Sequence, residues 1–391
     1  MGECIPFVTG EDTSKLVPRL YPEAEIVRVP LDRARNILRV LGTSRKVWLD
    51  PGVDGLHDLK GRQSQAEKKT NSWFELISAC QNYDKIGTPP HTALPREIDT
   101  FVKELMEKCV KYKPDWITIP QLPLKGSDRN KINRALAAAT ARWKSTNGFI
   151  GKLILPLVFT HQSQVTGKTA RNPRVEQAEK CYHDAAADGF WVVDSSLTDD
   201  NGSSLVRKRL TSIIDLHGEL NDRISSKIRI AGPYWGLNLV LWARGLVDHP
   251  AIGIGSGYQF FMAGGQTSSA ATRIAMSSLK RRVLVGPQLR AWLDSAIAAM
   301  DPTHPAYAEL AEIKKQLPAL SEYTRARMQI AESYKRWIDL IARAPKPGRS
   351  MAMYQDLSLA YAFGKSLPDL NEQGPGRRPE AVAEPLMMSC L

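Results

Sequence analysis

Between residues 46 and 257, short apolar runs alternate with stretches whose apolar residues recur at helical spacing. The runs are KVWLDPG (46–52), PDWITIPQLP (114–123), GKLILPLVFTHQ (151–162), FWVVDSS (190–196), KIRIAG (227–232) and PAIGIGSG (250–257). Between them lie helix patterns such as PREIDTFVKELMEKCVKYK, with apolar residues at Ile98, Phe101, Val102, Leu105 and Val110. Strands that alternate with helices require a parallel sheet with helical crossovers. An open doubly wound sheet and a closed (β/α)8 TIM-like barrel both satisfy that requirement. No strand–GxGxxG–helix unit and no phosphate-binding GxxxxGK[ST] loop accompanies the runs, which weighs against the nucleotide-binding open sheet. Polar or special residues end nearly every run, and barrels gather strand ends at one mouth where chemistry is done. The expectation is therefore a barrel over residues 1–286. Its two missing strands are sought within residues 1–45, where AEIVRVPL is strand-like, and in RRVLVG (281–286).

After Gly286 the pattern becomes helical, with Pro318 as a break or kink. Residues 287–365 read as a helical appendage, and the Pro/Gly-rich 366–391 as a flexible tail. No run reaches the roughly 20 apolar residues of a membrane span. The first residues, MGECIPFVTGEDTSK, lack the basic and apolar regions of a secretory signal. The five cysteines lie far apart without a CxxC pair, so neither a zinc site nor a disulfide framework is implied. A reducing cytoplasm fits that usage.

The net charge of +12 points to a polyanionic partner, nucleic acid or nucleotides. Two basic groups are candidates for phosphate contact. Arg129, Lys131, Arg134, Arg142 and Lys144 lie on or beside one helix, and Lys280, Arg281 and Arg282 form a short run.

The order of the segments resembles the tRNA-guanine transglycosylase family, including its relatives that insert 7-deazaguanine bases into DNA. The likeness covers about residues 44–260. VWLDPGVDG sets Asp50 where the family has Asp-Ser-Gly-Gly, and ITIPQLP sets Gln121 where the family carries an acidic base-reading residue. LVFTHQSQ offers Gln162-Ser163 for Gln-Gly-Ser, and VVDSSL offers Ser195-Ser196-Leu197 for the Gly-Gly-Leu loop. RGLVDHPAIGIGSG resembles the family's basic-Gly, Asp, strand, Gly-rich segment. Three departures stand out. The zinc-binding Cys/His cluster has no match, Pro51-Gly52 replaces a double glycine, and Asp248 is separated from its strand by His249-Pro250.

The resemblance implies replacement of guanine by a 7-deazaguanine in DNA or RNA through a covalent glycosyl-Asp intermediate. Such chemistry needs a carboxylate to attack C1′, a second to manage the proton, and groups that bind the edge and face of a flipped-out base. The candidate carboxylates are Asp50, Asp194 and Asp248. Those for base binding are Gln121, His161, Gln162, Ser195, Ser196, Tyr234, Trp235 and Tyr258. Gly255 and Gly257 would let the backbone approach a phosphate or a base. Strand ends favour Asp50 and Asp194 as the working pair, whereas Asp248 stands at a strand's start. The chemistry calls for neither metal nor cofactor. Two rivals keep the barrel: a hydrolase or lyase acting on a phosphate-bearing nucleotide, and a basic barrel that binds nucleic acid or a protein partner without turnover. Each candidate also has a structural role open to it, since an Asp before Pro-Gly can shape a turn and a His on an apolar strand can be a core residue.

Overall fold

The computed structural model describes residues 3–68, 72–124, 126–159, 173–195, 197, 207–226, 228–254, 272–370 and 377–391. Eight parallel strands close on themselves: β1 (Ile5–Phe7), β2 (Ile26–Pro30), β3 (Lys46–Asp50), β4 (Trp116–Thr118), β5 (Lys152–Phe159), β6 (Gly189–Asp194), β7 (Arg229–Ala231) and β8 (His249–Gly253). The ring closes where Ile5 faces Ala251 and Phe7 faces Gly253. Both missing strands thus lie before residue 45. The run at 281 is not a barrel strand. It forms β10 (Arg281–Leu284), antiparallel to β9 (Arg273–Met276), in a separate two-stranded sheet.

Helices α1 (Glu11–Leu20) and α2 (Ala34–Leu41) follow the first two strands. After β3 come α3 (Leu59–Lys68), α4 (Ser72–Ser78), α5 (Tyr83–Gly87) and α6 (Pro95–Val110). The later crossovers are α7 (Gly126–Asn147), α8 (Pro173–Asp184), α9 (Arg207–Arg223) and α10 (Leu237–Ala243). Helix α6 shows how the sequence sets such an element. Pro95 opens it with a preset φ, the Glu97 carboxylate accepts the Leu94 N–H at 2.9 Å, and Ile98, Phe101, Val102, Leu105, Met106 and Cys109 form the buried stripe.

Alternation along the strands builds two apolar layers. Ile5, Phe7, Ile26, Trp48, Trp116, Ile154, Val158, Trp191, Val193, Ile230 and Ala251 fill the barrel interior. Their neighbours, among them Val27, Leu49, Ile117, Leu155, Phe190, Val192 and Ile252, pack against the helices. Three tryptophans and Phe7 meet inside the barrel: Trp48 lies 5.4 Å from Phe7, 5.3 Å from Trp191 and 6.2 Å from Trp116, ring centre to ring centre. Such packing makes a solid floor beneath the mouth.

The C-terminal helices are α11 (Pro287–Ala298), α12 (Tyr307–Leu320), α13 (Tyr323–Ala342), α14 (Arg349–Lys365) and α15 (Ala383–Met388). Pro318 sits inside α12 rather than ending it. The chain end differs from the expected flexible tail. Val382, Ala383, Leu386 and Cys390 are buried in the main core, and Arg244 donates to the Ser389 carbonyl at 2.8 Å. Enough apolar side chains follow the Pro/Gly-rich segment to dock it. No helix among the described residues is long and apolar enough to cross a membrane.

Candidate active site

Asp50 is the last residue of β3 and shares strand parity with Trp48, so its side chain turns inward above the tryptophan floor. It is 3% exposed. Its Oδ1 accepts the Gly52 N–H at 2.9 Å. Oδ2 receives both the Nε–H of Arg28, at 3.1 Å, and the Arg28 Nη2–H. Gly52 holds a left-handed φ of 65° to present that N–H, and a Cβ there would come within 3.0 Å of Trp73 Nε1. Pro51-Gly52 therefore does the turn-forming work, and the carboxylate is fixed by the turn it precedes. Arg28 stacks on the floor, its guanidinium carbon 5.1 Å from the Phe7 ring centre and 5.9 Å from that of Trp191. Thr118 also belongs to the inward set and accepts the Trp48 indole N–H at 2.9 Å.

Asp194 ends β6, yet it does not join Asp50. The inward residues of β6 are Trp191 and Val193, so Asp194 turns outward towards the helices. It is 2% exposed and pairs at 3.1 Å with Arg209, itself buried on α9. Its backbone N–H donates to the Tyr234 hydroxyl oxygen at 2.6 Å. Burial first, and then the nearby Asp194 charge, push the Tyr234 phenol far above its usual range. Asp248 lies at the opposite end of the barrel, before β8. There it accepts two hydrogen bonds from the Arg229 guanidinium, at 2.8 and 2.9 Å, and a third from the Arg229 backbone. This two-point clamp ties the start of β7 to the start of β8, on the face that in barrels serves stability.

The base-binding candidates divide. Gln121 is buried with its amide nitrogen engaged: Nε2 donates to the carbonyls of Pro120 and Asn133, both at 2.8 Å. Asn133 in turn bonds the N–H and carbonyl of Leu122. The Ser195 hydroxyl donates to the Phe159 carbonyl at 3.1 Å. Tyr234 and Trp235 are both buried. The Trp235 indole donates to the Lys280 carbonyl at 2.7 Å and its ring lies 4.9 Å from that of Tyr334 on α13. His161, Gln162, Ser196, Gly255, Gly257 and Tyr258 lie outside the described residues.

Most of the basic candidates are already engaged. Arg134 pairs with Asp184, Arg142 with Asp99 and Lys144 with Asp188, while Lys131 is exposed. The run at 280–282 is engaged as well. Lys280 pairs with Asp356 at 2.8 Å, the fully buried Arg281 donates to the Arg378 carbonyl, and Arg282 lies over Trp235. Arg129 differs. It is 8% exposed, and its Nη1 is buried without a hydrogen-bond acceptor. It sits one turn, about 6 Å, nearer the mouth than Asn133 on the inward face of α7. Burial alone pulls its guanidinium below the usual range.

Sequence reasoning missed Arg28, the partner that orients Asp50. The signal was present in IVRVP: a lone cation inside an apolar strand needs a buried partner. Among the described residues no cluster of His, Cys, Asp and Glu could hold a metal ion, and all five cysteines are free and buried. No known protein family matches the chain, and no curated protein does.

Proposed function

We propose that this protein exchanges a guanine-type base in nucleic acid at the mouth of its barrel, with Asp50 as the attacking carboxylate. One observation carries the reading: Asp50 is a strand-end carboxylate held by Arg28 and Gly52 above an aromatic floor, at the end of the barrel where such folds do chemistry. A carboxylate that accepts from a guanidinium and a backbone N–H is an electron-pair donor, not a proton donor. One of its oxygens would form a bond to C1′ as the C1′–N9 bond breaks, the electron pair leaving on the base nitrogen, which takes up a proton from water. In the return step, N9 of the incoming base attacks C1′ as the C1′–O bond breaks, its proton passing to water and the carboxylate being restored. The net charge of +12 supports a polyanionic substrate, and the incoming base would be a 7-deazaguanine.

The test is incubation with DNA or RNA preloaded with labelled guanine, followed by assay of label released on adding unlabelled base. The reading expects release from one polymer and a denaturation-resistant protein–nucleic acid adduct mapping to Asp50. A second reading, a barrel that binds nucleic acid without turnover, is favoured by the engagement of the other two candidates: Asp194 and Asp248 are both spent on ion pairs. Retention of polymer with neither release nor adduct supports it.

A further inference from the structure

Between the β9–β10 hairpin and helix α13 lies a cavity of about 170 Å³. It is separate from the Asp50 site, and three rings wall it: Trp235, Tyr334 and Trp337, the first two 4.9 Å apart and the last two 5.7 Å apart. Apolar cavities of about this size, 150 Å³, hold a benzene ring. Most polar atoms around it are already matched. The Tyr334 hydroxyl contacts the Tyr234 carbonyl and Asn238, and the Trp235 indole donates to the Lys280 carbonyl. The Trp337 Nε1 and the Ser277 Oγ, although on lining residues, are themselves buried away from it, so its wall is mainly apolar.

The charge at the cavity is cationic. The Lys280 ammonium, 5.4 Å from the Trp337 ring centre, is neutralised by Asp356. Arg336, at the exposed rim beside Leu340, donates to Ser333 Oγ at 3.1 Å and pairs with no carboxylate among the described residues. Glu309, the nearest acid of α12, has its two oxygens taken by the N–H groups of Ser277 and Ser278.

We infer that this cavity is a binding site for a small planar aromatic acid. The ring enters between the aromatic walls and the carboxylate stays at the rim on Arg336. A cationic ring would face Arg336 and be repelled. The inference does not depend on base exchange at the mouth.

Calorimetric titration of the full chain with indole-3-carboxylate, neutral indole and cationic tryptamine tests it. Saturable one-to-one binding of indole-3-carboxylate is expected, with indole about fivefold weaker, as for loss of one exposed ion pair, and tryptamine not bound. Arg336→Gln, on an exposed side chain, should weaken indole-3-carboxylate about fivefold and leave indole unchanged. Trp337→Ala, once melting shows it folded, should weaken both by up to about tenfold, the loss of one ring–ring contact. No saturable binding of indole-3-carboxylate, equal binding of tryptamine, or an Arg336→Gln protein that binds the acid like the parent would overturn the inference. Base exchange at the mouth would be unaffected by any of these outcomes.

Discussion

Replacing Asp194 should harm stability far more than chemistry. The carboxylate and Arg209 are both buried, with side chains 2% and 6% exposed, and stand 3.1 Å apart. Asp194→Ala removes one partner of a buried ion pair, which costs about 3–5 kcal/mol. If each kcal/mol moves the melting point by about 2 °C in a chain of this size, the drop is about 6–10 °C. Asp194→Leu combined with Arg209→Met should recover most of that loss, because apolar replacement of a buried pair is often neutral or better. Thermal unfolding of the parent, single and double variants measures the stability effect. Exchange rate per folded molecule measures the chemical one and should stay within a few-fold of the parent. An Asp194→Ala protein that melts within about 1 °C of the parent but exchanges about 100-fold more slowly would refute the outward, structural assignment.

Three further outcomes follow from the same geometry. His217 is fully buried on α9 with neither ring nitrogen bonded, and burial holds its pKa down to about 3. The unfolded chain takes up a proton below about pH 6.5 that the folded one refuses, so the stability His217 gives is full above that pH and lost on acidification. Relative to His217→Leu, the parent should therefore lose about 2 kcal/mol between pH 6.5 and 5 in urea unfolding; parallel pH profiles would contradict this. Gly52→Ala places a side chain at a φ of 65° and 3.0 Å from Trp73 Nε1, so it should cost about 1–2 kcal/mol and slow exchange by shifting the N–H that holds Asp50. Asp248→Asn should leave exchange at the parental rate, since its two-point clamp on Arg229 lies at the opposite face; a dead but folded variant would restore the nucleophile that the family resemblance implies.

The fold was largely legible because a parallel barrel repeats one signal, an apolar run and then an amphipathic helix. The three-residue β1 was too short to stand out, and RRVLVG looked like a better strand than the one that closes the ring. The site was legible only in part. Asp50 and Asp194 both end strands, but only Asp50 turns inward, because it lies two residues after Trp48, whereas Asp194 lies three after Trp191. Both faces of a parallel barrel strand are apolar, so KVWLD and FWVVD do not reveal which parity faces the interior. Charge posed a similar problem. The run Lys280-Arg281-Arg282 reads like a phosphate stripe, but Asp356, the Arg378 carbonyl and Trp235 take it up. Only the folded neighbourhood separates a paired cation from a solvated one.

The account's central claim is that Asp50 does the chemistry of the mouth, and Asp50→Asn tests it most directly. Asn keeps the side chain's shape and can still accept from Gly52 and Arg28, but it cannot act as the carboxylate. Parent and variant are compared, on polymer carrying labelled guanine, for label release and for a trapped protein–nucleic acid adduct. The account predicts release at least about 100-fold slower and no adduct from a variant that still binds the polymer. Parental release by Asp50→Asn, or an adduct mapping to another residue, would contradict it.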